Sequence, residues 1–169
     1  VAKAAGATLE TLLDRGDKGY AIATQTAGLC RIVQDLHAQG RLHGIIGLGG
    51  GQGTSIGTAA MRVLPTGVPK LMLSTVASGS FQFGPYVGTK DICMMHSVTD
   101  VLGLNVISRP ILRNAANAIA GMVQRLREEN AAPQPAIAIT MLGITTPCVM
   151  RVKGELESQG YEVVPFHAN

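Results

Sequence analysis

Tryptophan is absent, and aromatic residues make up only 4% of the 169 residues. Glycine instead is plentiful at 21 residues, well above the usual share of roughly 7%. That balance suits a sheet buried on both faces with tight βα turns, where backbone approaches backbone or ligand. Charge is also scarce: 15% charged against 46% hydrophobic residues excludes a disordered chain. The net charge of +3 comes from scattered basic residues with no run or stripe, so direct nucleic-acid binding is not expected. Cysteine is limited to Cys30, Cys93 and Cys148, odd in number and without a CxxC pair. A disulfide framework is thereby disfavoured, and a reducing, cytoplasmic setting is the simpler expectation. No apolar run is long enough to span a bilayer, and no signal-peptide pattern opens the chain. The chain does not begin with Met and ends directly after a strand-like run, so both ends read as cut from something longer.

Helical spacing is clearest in three places. Ile22, Leu29, Ile32/Val33 and Leu36 form one apolar stripe, with Gly40 as a stop. Ile111, Ala115, Ile119, Met122/Val123 and Leu126 form a second, with Ser108 as N-cap and Pro110 in the first turn. Val149, Val152 and Leu156 form a third, opened by Thr146-Pro147 and closed by Gly160. A shorter helix is expected after Thr54. Between them lie continuous apolar runs of strand length at 44–48, 70–74, 92–95, 136–140 and 162–166, the pattern of buried parallel strands. Alternating strand and helix predict an α/β fold, Rossmann-like, with a mostly parallel sheet and flanking helices. Ligands then bind at the carboxyl ends of the strands. The polar, proline-rich break at 128–135 suggests a boundary, with a first lobe over 1–132 and the opening strand–helix–strand of a second Rossmann-like lobe over 133–169.

The strongest chemical signal is the turn at 49–55. An apolar strand runs into Gly49, Gly50, Gly51 and Gly53, and Thr54-Ser55 opens a helix. Several backbone N–H groups would face out at a helix N-terminus, where the dipole favours an anion. Without Cβ atoms the chain can approach phosphate oxygens, and two hydroxyls add donors. The competing reading is a tight βα turn whose glycines serve strand–helix packing. No Gly-Lys-Ser/Thr ending marks a P-loop, and the G-x-G-x-x-G register fails, so a dehydrogenase is a poor fit.

Other candidates are weaker. Thr145 and Thr146 repeat the strand–turn–helix logic, either contacting a ligand or only capping a helix. The long connection 74–91 carries Phe81, Phe83 and Tyr86, which would stack on a base or pack at a subunit interface. Asp91 and Asp100 are candidate Mg²⁺ partners. The histidines form no metal set, so no metal site is expected. His96 and His167 follow strands, where a proton-transfer group would sit, although a hydrogen-bonded structural histidine is the commoner case. No G-x-S-x-G elbow is present.

Several phrases, in order along nearly the whole chain, carry a family resemblance. They include Gly44-Ile45-Ile46-Gly47-Leu48-Gly49-Gly50, Leu64-Pro65-Thr66-Gly67-Val68-Pro69-Lys70, Ser74-Thr75-Val76-Ala77-Ser78-Gly79, Pro85-Tyr86-Val87-Gly88-Thr89-Lys90-Asp91-Ile92, and Ile139-Thr140-Met141-Leu142-Gly143-Ile144-Thr145-Thr146-Pro147. Together they resemble the uncharacterised-protein family that shares the ATP-binding domain of the tomato mosaic virus resistance protein. The resemblance implies ATP, with or without Mg²⁺, near an inter-lobe cleft, and a homodimer. By position it implies Gly49, Gly50, Gly53, Thr54 and Ser55 around phosphate, and Ser78, Gly79, Tyr86, Asp91, Thr145 and Thr146 near the same cleft. It transfers no catalytic residue. Gly51-Gln52 departs from the family pattern and makes the cradle bulkier at Gln52. Two alternatives stay open: an enzyme on a small phosphorylated or carboxylated metabolite, and a structural dimerisation module.

Overall fold

The computed structural model describes residues 1–79, 82–128 and 135–167. The chain divides into two compact units, Val1–Glu128 and Glu129–Asn169. In the first, α1 (Leu9–Arg15) and α2 (Lys18–Ala38) lead into β1 (Ile45–Gly49), α3 (Gly51–Arg62) and β2 (Lys70–Ser74). A short α4 (Gly84–Val87), β3 (Cys93–His96) and the long α5 (Ser108–Glu128) follow. The helices start where side chains supply the missing acceptors. Thr8 Oγ1 accepts the Thr11 N–H and Asp17 Oδ1 the Tyr20 N–H, satisfying donors that the first turn leaves free.

The sheet has the order β1-β2-β3, all parallel. β2 lies in the middle with all five residues buried, which is why its apolar run is unbroken. One face carries Ile45, Gly47 and Gly49 in register with Lys70, Met72 and Ser74. The core on this side is Val33, Ala60 and Leu64, with Leu29 and Ile45 against it, so α2 and α3 share it. A Cβ on Gly47 would fall 2.6 Å from Met72 Sδ; the glycine makes room for that side chain. The other face carries Leu71 and Leu73, buried with Ala115 and packed by Met95, Ile111 and Leu112 under α5. Helices thus cover both faces of a parallel sheet, a Rossmann-like α/β arrangement.

At the amino edge of the sheet lies a buried cation. Lys70 is 1% exposed, and its Nζ donates to Pro65 O (2.7 Å), Val68 O (2.7 Å) and Asp91 Oδ1 (2.9 Å). Asp91 Oδ2 also accepts the Gly67 N–H. Full satisfaction is what makes a buried charge tolerable.

The second unit holds β4 (Ala136–Met141), α6 (Thr146–Ser158) and β5 (Glu162–His167), with β4 and β5 parallel. Val149 and Val163 are its buried apolar residues. The expected break falls mostly at 129–134, outside the described residues. Among the described residues no helix is long and apolar enough to cross a membrane.

Candidate functional site

The turn after β1 is tighter than the sequence suggests. The sequence pattern opens the helix at Thr54-Ser55; in the structure it opens at Gly51, with Gly50 as an extended N-cap (φ −84°, ψ −158°). The reason is Gly49. A Cβ there would lie 2.9 Å from Gly53 Cα, so only glycine lets strand and helix backbones meet, and the helix begins at once. Gly49 therefore serves packing. Gly51 by contrast meets nothing within 4 Å, and Gly53 meets only Leu48 O at 3.6 Å. The N–H groups of Gly51, Gln52 and Gly53 belong to the first turn, which has no intrahelical acceptors for them. They stand at the positive end of a 12-residue helix, where Gly51 and Gly53 carry no side chain to crowd them.

The two hydroxyls do not join them. Thr54 is fully buried; its Oγ1 donates to Gly50 O at 2.7 Å and lies 2.6 Å from Ser74 Oγ. Ser55 Oγ donates back to Gly51 O. Both satisfy backbone carbonyls, as hydroxyls within a helix do, so Thr54 clamps α3 to the end of β2 rather than facing a ligand.

Thr75, which carries no chemical signal in the sequence beyond its place at the end of a strand, is drawn in. Its N–H donates to Gly49 O (3.1 Å), and its Oγ1 is 3.4 Å from where a Gly50 Cβ would stand. Gly49, Ser74 and His96 form one rung across the three strands. In parallel strands such partners share a face, so half-buried His96 lies on the α3 side of the carboxyl edge. The Ser97 N–H extends the pairing to Ser74 O, and Thr99 N–H closes a tight turn to Ser97 O around Val98, whose φ is +63°. That value is costly for a β-branched residue. Asp100 follows, exposed.

Other expected site residues fall in three places. Half-buried Ser78 and exposed Gly79 leave β2 at the same carboxyl edge. Tyr86 and Asp91 do not stay there. The Tyr86 carbonyl accepts from Arg62 Nη1 at 2.6 Å, at the far end of α3. Asp91 binds Lys70, four residues before Ser74 along β2, or about 13 Å at the usual rise. The 74–91 connection thus returns to the amino edge, so within this unit Tyr86 and Asp91 stand away from the glycine turn. Exposed Phe83 accepts the Tyr86 N–H with its carbonyl; Phe81 lies outside the described residues. Thr145 and Thr146 belong to the second unit. Thr145 Oγ1 exchanges bonds with the Leu142 backbone, and Thr146 Oγ1 donates to Leu142 O, so both hydroxyls cap the turn before α6. Among the described residues no group of three or more His, Cys, Asp or Glu gathers to hold a metal.

Comparison with known proteins shows the family. Residues 1–128 match the N-terminal domain of the Uncharacterised protein family UPF0261, and residues 134–169 match its C-terminal domain. A UPF0261 protein of Clostridium tetani is 46% identical over 168 residues, which is 99% of this chain and 41% of that protein. One from Rhizobium meliloti is 49% identical over 157 residues, covering 93% of this chain and 38% of its own length. The ToMV resistance protein Tm-1 of Solanum lycopersicum is 42% identical over 156 residues, covering 89% of this chain and 20% of its own length. The chain thus spans only 38–41% of the two bacterial relatives. Matched in order by both of its domains, this chain belongs to the UPF0261 family.

Proposed function

We propose that the chain binds a nucleotide, ATP, by its phosphates at the first turn of α3. The observation that carries this reading is the fan of Gly51, Gln52 and Gly53 N–H groups, which no Cβ at Gly51 or Gly53 screens from the space in front. An anion there gains from both the free donors and the helix dipole. Gly50 and Thr75 would flank the phosphates, and Ser78 and Gly79 would lie beside them on the connection from β2. ATP, rather than another anion, comes from the resemblance described above. Mg²⁺ would arrive on the phosphates: Asp91 is committed to Lys70, leaving Asp100 as the exposed carboxylate beyond β3. A cytoplasmic homodimer, with exposed Phe83 available for the interface, belongs to the same proposal.

A second reading rests on His96. Its place on the Gly49–Ser74 rung would set an acid/base group beside a bound anion. A small phosphorylated metabolite would then be the substrate. Thermal-shift titration with ATP, ADP and inorganic phosphate, with and without Mg²⁺, separates the two. The nucleotide reading expects ATP to raise the melting temperature far more than phosphate, by about 2.7 kcal/mol of stabilisation at a hundred times its dissociation constant. Equal small shifts from phosphate and ATP favour the metabolite reading. No shift from any of the three overturns both.

A further inference from the structure

We propose that Thr54 and Ser74 are positioning residues: together they hold the Gly50–Gly51 peptide so that the Gly51 N–H faces outward at the head of α3. The inference rests on the anion reading of that turn and assigns the residues that keep it receptive.

The starting point is a peptide that its own neighbours do not hold. Gly49, Gly50 and Gly51 are consecutive. A Cβ on Gly50 would meet only Thr75 Oγ1, at 3.4 Å, and one on Gly51 would meet nothing within 4 Å. Glycine backbone takes either sign of φ at little cost, so sterics leave the plane between Gly50 and Gly51 able to turn over. In a trans peptide the C=O and N–H point in opposite directions. Turned over, the unit would present Gly50 O, an acceptor, where an anion needs a donor.

Two bonds oppose this, both to Gly50 O and both from Thr54: its N–H at 2.8 Å and its Oγ1 at 2.7 Å. They occupy both lone pairs of the carbonyl. Proton accounting fixes the direction of the hydroxyl bond. Thr54 has one hydroxyl hydrogen, spent on Gly50 O. Ser74 Oγ, 2.6 Å away, must therefore donate its own to Thr54 Oγ1, and it accepts the Val76 N–H at 3.1 Å. Val76 N–H, Ser74, Thr54 and Gly50 O form one chain with every hydrogen pointing the same way. Both hydroxyl residues are 0% exposed, so water does not compete and successive bonds reinforce one another. A hydroxyl that bonds back to the carbonyl four residues earlier is ordinary inside a helix. Here that carbonyl belongs to the N-cap, between two glycines, and a second buried hydroxyl from β2 is committed to the bond. The same chain ties the turn to the connection that carries Ser78.

Two readouts test this in the parent, Thr54→Val, Thr54→Ser and Ser74→Ala: calorimetric titration with ATP well below each melting temperature, and the backbone amide signal of Gly51 without ligand. Thr54→Val keeps the shape and removes the hydroxyl. It should weaken ATP binding about fivefold, the equivalent of one net hydrogen bond, and broaden or split the Gly51 signal as the peptide turns over. Thr54→Ser keeps the hydroxyl and should match the parent within about twofold, with one sharp signal. Ser74→Ala should fall between them. A Thr54→Val chain that melts lower, yet binds ATP as the parent does and keeps one sharp Gly51 signal, makes Thr54 a strut and overturns the proposal. If Thr54→Val does not fold, Ser74→Ala decides on the same two readouts, and no change in either overturns it. A parent that binds no ATP defeats the nucleotide reading and this proposal together. A parent that binds, beside unchanged variants, defeats this proposal alone.

Discussion

Gly51→Asp is expected to abolish stabilisation by ATP while leaving the unliganded chain at least as stable as the parent. Gly51 is the first residue of α3, exposed, with nothing within 4 Å of where a Cβ would stand, so a side chain meets no steric cost. A carboxylate in the first turn interacts favourably with the helix dipole, by about 0.3–1 kcal/mol. The same charge repels phosphate and competes for the N–H groups the proposal assigns to it. Stability and binding therefore move in opposite directions. Gly49→Ala would not serve: its Cβ meets Gly53 Cα at 2.9 Å, and forcing strand from helix costs about 1–3 kcal/mol whatever binds. Melting curves with and without ATP decide the matter. A Gly51→Asp chain still stabilised by ATP to the parent's extent removes the first turn of α3 from the site.

Lys70→Met is expected to destabilise the chain by on the order of 3 kcal/mol, measured by urea unfolding at neutral pH. The substitution fills the space but deletes three charge-assisted bonds, leaving the Pro65 and Val68 carbonyls without the donor they share. Asp91→Asn should cost less, because its side chain is 39% exposed and can rehydrate. That variant carries a pH signature instead. Burial opposes ionisation of Asp91, but the bonds from Lys70 and the Gly67 N–H outweigh it and hold its pKa below the ordinary carboxylate value. A depressed folded-state pKa contributes stability in full above the unfolded value, near 4, and loses it as pH falls through the folded value. Parent stability should fall below about pH 4, with a shallower fall in Asp91→Asn. A loss under about 0.5 kcal/mol in Lys70→Met would mean that the Lys70 bonds only balance the cost of burying the charge.

The strands were legible because each is a continuous apolar run. Lys70–Ser74 coincides with β2, and the other four differ from expectation by at most one residue at either end. The start of α2 was not, since Lys18–Tyr20 carries no apolar period and only the Asp17 cap sets it. At the site, the glycines announced close backbone approach, but nothing in their spacing divides packing at Gly49 from openness at Gly51. Hydroxyl direction was equally hidden: Thr54 looks like a phosphate donor until Gly50 O and Ser74 claim it. The pairing of Asp91 with Lys70 was hidden because a long connection says nothing of the edge to which it returns. Lys70 itself reads only as a charge at a strand's start until three acceptors close on it.

The central claim, that phosphates sit on the first turn of α3, is tested most directly by following backbone amide resonances during titration with ATP. The account predicts saturable shifts led by Gly51, Gln52 and Gly53, smaller ones at Thr75 and Ser78, and none at Tyr86 or Asp91. Shifts led by Tyr86 and Asp91, or no shifts at all at millimolar ATP, would contradict it.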